Sequence, residues 1–323
     1  MATQNNEEII IEEQLASLKT KNELWSKIWY FRHIYLFMMP AIIWYLVFAY
    51  YPMYGIVLAF KDFQYNLGIM GSPWVGLKFF RNFLTDSSFY EVMRNTISIS
   101  VLKLVFGFPA PIVLALMINA ISETHIGFKK VVQTVSYLPH FVSWVVVATL
   151  LQKILSPNSG IVSDIMISMG KEPIFFMGKT EFFYPMIIIS DIWKGIGWGS
   201  IIYLAAITNI DPTLYEAAVI DGAGSWNKLF KITIPCLVPT IGILLILSLS
   251  GILNAGFDQI YLLQTPATLS VSEVLDTYVL KRGINQGQFA YATAIGLFKS
   301  LISLFLIVGV NNICKKYTEV SLW

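Results

Sequence analysis

The sequence predicts an all-α integral membrane protein with six transmembrane helices. Three observations lead there. Of its 323 residues, 56% are hydrophobic and only 13% charged, against about a quarter charged in an ordinary soluble domain. The mean hydropathy is +0.64. A bilayer core about 30 Å thick needs about 20 apolar residues in a helix, and six stretches meet that length, near 34–58, 96–121, 131–155, 182–209, 236–260 and 292–314. Helix is the expected form because backbone groups in lipid are paired within the segment. The short alternating strands of a barrel are not found in the sequence. This composition argues against a cytosolic enzyme and against a disordered chain. A net charge of +2 leaves no basic excess for nucleic acid.

Residues 1–33 are expected as a cytoplasmic segment, with a polar, amphipathic helix over 5–30. Glu7, Glu8, Glu12 and Glu13 make this start acidic, unlike the basic start of a signal peptide. Residues 34–314 read as one membrane domain and 315–323 as a cytoplasmic tail. Pro109 and Pro111 are expected to kink the second span. Gly195, Gly197 and Gly199 in the fourth suit close helix packing or a bend. The connections 61–94, 156–181 and 262–291 carry Pro, Gly and aromatic residues, and are expected as ordered caps. Paired lysines at 129–130 and 315–316 favour cytoplasmic termini, although basic residues divide almost evenly between the two sides. Cys236 and Cys314 lie in apolar surroundings and read as reduced thiols. His33, His125 and His140 have no ligand spacing, so no metal site is expected.

The connection 211–235 is the most informative stretch. Asp211 or Thr213 can cap a helix, with Pro212 in its first turn. Glu216 then lies near the positive helix end. Ala217 and Ala218 are strong helix formers with little bulk. Gly222 is placed to end the helix, and Pro235 to start the fifth span. The product is a short helix with a small-residue face, open to close approach by a partner.

Ionisable residues inside spans are costly and mark pathways by default. Lys103, Asp191, Lys194, Asp258 and Lys299 are such residues, with Asn254, Gln259 and Trp193 as neighbours. Asp191 and Lys194 share a helix face and are spaced to pair. Trp198 follows one turn on. Aromatic faces beside hydrogen-bonding groups suit a sugar, and intramembrane lysines suit a carboxylated one. Lys103, Asp191, Trp193, Lys194, Trp198, Asn254 and Asp258 are therefore the candidate substrate path. The competing reading is structural, with Asp191 and Lys194 as an internal ion pair.

Catalytic signatures are missing. Gly178-Lys179-Thr180 imitates the end of a phosphate-binding loop, but Pro173 stands where the first glycine belongs. No Gly-x-Ser-x-Gly or His-Glu-x-x-His occurs. The chain is expected to be non-enzymatic, with hydrolysis on separate subunits.

Residues 216–235 resemble the EAA loop of binding-protein-dependent ABC importer permeases. Glu216, Ala217, Ala218, Gly222, Ile232 and Pro235 fall at that spacing, and Ile234 replaces the usual leucine. Asp221-Gly222-Ala223 is similar to the sugar-transport branch. Tyr51-Pro52-Met53-Tyr54-Gly55, Gly71-Ser72-Pro73-Trp74-Val75-Gly76 and Asp191-Ile192-Trp193-Lys194-Gly195 resemble the subgroup importing oligosaccharides from polysaccharides such as alginate and pectin. The resemblance implies a type I permease half of maltose type. It also implies contact of Glu216, Ala217, Ala218, Asp221, Gly222 and Ala223 with a cytoplasmic ATPase. The implied partners are a second, homologous permease, two ATPase subunits and an extracytoplasmic binding protein. ATP and Mg²⁺ would sit on the ATPases, and no cofactor on this chain. Importers of polyols or peptides, an ion-coupled secondary transporter and a membrane-embedded enzyme are the alternatives.

Overall fold

The structure, a computed structural model, describes residues 25–121 and 123–318. The helix expected over 5–30 therefore lies mostly outside the described residues, as does the tail from 319. Among the described residues, five helices are long and apolar enough to cross a membrane. A pair of helices bent against each other passes the same test together and brings the number to six when taken as one broken span. The all-helical expectation holds, and the sole β feature among the described residues is an isolated bridge between Lys61 and Trp74.

The elements are α1 (Arg32–Phe60), α2 (Lys78–Thr85), α3 (Phe89–Asn119), α4 (Ile126–Phe141), α5 (Trp144–Ile154), α6 (Ile161–Ser168), α7 (Thr180–Thr208), α8 (Pro212–Ile220), α9 (Ser225–Ser250), α10 (Phe257–Leu263), α11 (Leu275–Leu280) and α12 (Phe289–Thr318). Residues up to Val57 and residues from Leu58 form separate compact units. No residue of Arg32–Tyr45 is buried within the chain. The packing described below belongs to the second unit.

Prolines shape the spans in a recurring way. A π turn over Lys103–Gly107 stands just before Pro109, and another over Leu229–Thr233 just before Pro235. Leu46–Tyr50 does the same before Pro52. Proline lacks the N–H for the helical ladder, and its ring crowds the carbonyl four residues back. A wider turn moves that carbonyl aside while the helix continues. Pro235 thus lies inside α9, which starts at Ser225, ten residues before the expected proline start.

The third span is not the single helix expected over 131–155. α4 and α5 meet at 99°. Pro139 sits in a 3-10 turn over Leu138–Phe141, and Val142 and Ser143 are extended. The Ser143 side chain then accepts from the Val146 amide and caps α5. The fifth span stops at Ser250, short of 260. Ile252–Asn254 form a 3-10 turn, and Ala255 and Gly256 take φ of 42° and 89°. That reversal sends the chain into the short helix α10.

Three clusters hold the unit together. Phe83, Val92, Leu275, Tyr278, Tyr291 and Ile295 join α2, α3, α11 and α12. Ile99, Ala148, Phe183, Ile187, Ile260 and Leu263 join α3, α5, α7 and α10. Ala115, Tyr203, Ile207 and Leu237 join the ends of α3 and α7 to α9. Lipid tails are as apolar as these side chains, so close fit rather than water exclusion holds the spans. Gly197 shows this best. A Cβ there would strike the Ser136 carbonyl and come within 2.8 Å of the Tyr137 nitrogen, so α7 lies backbone against backbone on α4.

The connections are ordered, as expected. The Asp62 amide donates to Pro73 O at 2.9 Å and Val75 to Phe60 O at 2.8 Å. Phe60 stacks on Trp74 at 5.7 Å. Asp86 accepts from the Ser88 amide and the Tyr278 hydroxyl, with Arg282 at 3.8 Å. Burial opposes its charge, but these hydrogen bonds and Arg282 outweigh it and hold the Asp86 carboxyl below its ordinary value.

Candidate functional site

A cavity of about 400 Å³ opens among α3, α7, the end of α9 and the reversal at 251–256. Its polar lining includes Ser100, Lys103, Asp191, Ser248 and Asn254, and Gly107, Gly195 and Gly256 keep its wall thin. A Cβ on Gly195 would meet nothing within 4 Å, so this glycine enlarges the cavity rather than packing a helix.

One network forms the polar wall. Lys103 Nζ donates to Asp191 Oδ1 at 3.0 Å and to Gln259 Oε1 at 2.6 Å. Gln259 is fully buried and donates Nε2 to Ile187 O at 2.7 Å and Ser190 Oγ at 2.8 Å. The sequence brings these groups together through the π turn that begins at Lys103, the α7 face carrying Ile187, Ser190 and Asp191, and the left-handed turn that starts α10. A Cβ on Gly256 would collide with Lys103 Nζ, so the turn must present glycine to the ammonium.

The expected Asp191–Lys194 pair is not formed. Asp191 takes Lys103 instead, across two helices. Lys194 Nζ donates to His140 O at 2.6 Å and lies 3.5 Å from Pro139 O. It also lies 5.7 Å from the Trp144 ring centroid. The Pro139 carbonyl also accepts from the Val142 amide, and the ammonium satisfies the His140 carbonyl that the break frees. Trp198 stacks on His140 at 4.5 Å, so one indole face is already covered. Trp193 lines a separate, apolar groove with Leu150, Phe182 and Pro185. Asp258 is exposed in the first turn of α10, near the positive helix end. Of the seven candidates, the cavity thus gathers Lys103, Asp191 and Asn254. Lys299 pairs with Asp276 at 2.5 Å. Gln259 is the network member that spacing alone did not select, since only the reversal at Ala255–Gly256 turns it inward.

The loop 211–235 has the predicted local form. Asp211 is the cap, accepting from the Thr213 amide at 2.9 Å, and that bond holds its carboxyl below the ordinary value. α8 ends at Ile220, and Gly222 turns the chain with φ of 73°. The Ala223 amide closes on Ala218 O at 2.8 Å. Glu216, Ala217, Asp221 and Gly222 are exposed, and Ala218 and Ala223 partly so. Ile220 and Trp226 add exposed apolar surface. The Tyr215 hydroxyl meets Thr233 Oγ1 at 2.8 Å and fastens α8 to the start of α9.

Comparison with known proteins bears on both features. The family described as "Binding-protein-dependent transport system inner membrane component" matches residues 107–317. Protein LplB of Bacillus subtilis is 40% identical over 90% of this chain and 91% of its own. The polygalacturonan/rhamnogalacturonan transport system permease protein YteP of the same organism is 44% identical over 90% of each chain. The crystal structure of a bacterial ABC transporter involved in the import of the acidic polysaccharide alginate contains a chain of similar fold. The TM-score is 0.85 and the identity 40%, covering 92% of this chain and 99% of that one.

Proposed function

Since this chain belongs to the family of binding-protein-dependent transport system inner membrane components, it is a non-enzymatic permease subunit of an ABC importer, and we propose that it carries uronate-containing oligosaccharides. The observation that carries this reading is the near-complete likeness, in fold and at 40% identity, to the alginate importer chain. The lysine and carboxylate in the cavity wall agree with a polar, charged cargo.

The geometry suggests how the parts work. An extracytoplasmic binding protein delivers the oligosaccharide to the ordered caps at 61–94 and 262–291. A second, homologous permease closes the other side of the path, with both termini of this chain in the cytoplasm. ATP and Mg²⁺ bind two separate ATPase subunits, which hold the exposed face of α8 through Glu216, Ala217, Ala218, Asp221, Gly222 and Ala223. Tyr215 and Thr233 tie α8 to α9, so movement of α8 is passed to the span whose far end walls the cavity. Alternating access then arises from two packings of one helix bundle.

The test is uptake of labelled trigalacturonate into proteoliposomes that hold this chain with its partner permease, ATPases and binding protein. ATP-dependent accumulation is the expected result. Accumulation of polyols or peptides with no trigalacturonate would refute the cargo.

A further inference from the structure

The geometry points to Lys103 as a specificity-determining cation that an acidic sugar reaches by displacing Asp191. This rests on the oligosaccharide reading above and adds how the cavity selects charge. Lys103 is the less exposed partner, at 15% of its side chain against 34% for Asp191. Its ammonium is fixed from behind by the buried Gln259, whose amide is itself held by Ile187 O and Ser190 Oγ. Asp191 approaches from the cavity side, on an uninterrupted helix, and has water-accessible space to retreat into.

An unpaired ammonium inside the apolar layer is costly. A neutral sugar offers no replacement for the carboxylate and leaves the pair closed. A uronate carboxylate replaces Asp191 charge for charge. Lys103 then stays paired throughout, and Asp191 rehydrates in the cavity. The exchange also alters the load on Gln259, which links the ammonium to the reversal at Ala255–Gly256.

The two roles of the pair separate by charge neutralisation. A structural ion pair is damaged by losing either charge and is restored when both are lost. A displaceable one responds unequally. Trigalacturonate uptake by the assembled importer is measured for wild type, Asp191→Asn, Lys103→Met, Lys103→Arg and the Lys103→Met/Asp191→Asn double variant, with assembly followed by co-purification. Asp191→Asn is expected to keep uptake and lower the half-saturating concentration, because no internal carboxylate competes. Lys103→Met is expected to raise that concentration about tenfold or more, the scale of one lost charged hydrogen bond. The double variant stays impaired, and Lys103→Arg, which keeps the charge, retains more uptake than Lys103→Met. If the Met variant does not assemble, Lys103→Gln replaces it. Equal damage from both single variants with recovery in the double would overturn the proposal and leave the importer reading standing. Absence of trigalacturonate uptake by wild type would remove the acidic cargo and this proposal together.

Discussion

Two glycines of α7, Gly195 and Gly197, test the packing argument against each other. In a helix interior, glycine to alanine is favourable by about 1 kcal/mol from backbone entropy alone. At Gly195 the new methyl meets nothing within 4 Å. Gly195→Ala is therefore expected to stabilise the chain by about 0.5–1 kcal/mol. At Gly197 the methyl strikes the Ser136 carbonyl and lies 2.8 Å from the Tyr137 nitrogen. Both obstacles are backbone, so no rotamer change relieves them, and α4 must move off α7. Overpacking of this kind costs about 1–3 kcal/mol. It also pulls Pro139 and His140 away from Lys194, because they continue directly from the displaced turn. The two variants are thus expected to differ by about 1.5–4 kcal/mol, with opposite signs relative to wild type. Thermal unfolding in one detergent, with uptake measured in parallel, reads the order. Gly195→Ala should melt at or above wild type, and Gly197→Ala well below it. Equal melting of the two would refute the backbone-on-backbone contact.

Lys194→Met is expected to lower stability by about 1–3 kcal/mol by stranding the His140 carbonyl. Unchanged melting would show that the break needs no brace. Gly222 has φ of 73° and open space around its missing Cβ, so Gly222→Asn, tolerant of that conformation, should assemble and transport near normally. Gly222→Trp starts from the same open space at its Cβ, at a backbone cost of about 1–2 kcal/mol. Loss of ATPase co-purification with Trp but not with Asn would support docking there; full retention with both would refute it. Asp86 has a folded-state value below the ordinary 3.8, so its stabilisation is fully present above that value and is lost as pH falls through the folded one. The stability gap between wild type and Asp86→Asn should be constant from pH 7 to 5 and close below about pH 4. A gap that widens on acidification would refute this assignment.

The apolar spans, the ordered caps and the short helix with its glycine stop were legible because each depends on local chemistry. Apolar length sets a span, Asp211-Pro212 opens α8, and Gly222 closes its end. The breaks were only half legible. Pro139 and Ser143 together spell a stop and a new cap, yet the apolar length of 131–155 as a whole outweighs them. One proline was misleading in the other direction. Pro235 read as a start, but a π turn before it carries the helix through from Ser225. Partner choice was not legible. Asp191 and Lys194 are well spaced for a pair on one helix, where exposed pairs gain only about 0.3–0.5 kcal/mol. Stranded carbonyls and a half-buried ammonium each demand more than that, so both residues turn outward to other segments.

That competition explains why the polar residues of the spans divide as they do. Two segments break the regular helix, at 138–143 and 251–256, and each is braced by a polar side chain. Lys194, on continuous α7, supplies the first stop from the side. At the second, Gln259 anchors the reversal to α7, and Lys103 from α3 closes on Gln259. Lys103 also holds a carboxylate partner, the partly buried Asp191, that faces the cavity. Lys194 is committed to backbone carbonyls, which have no counter-charge to exchange. Hence charge selection belongs to Lys103 and not to Lys194, although it is Lys194 that the sequence spaces to pair with Asp191.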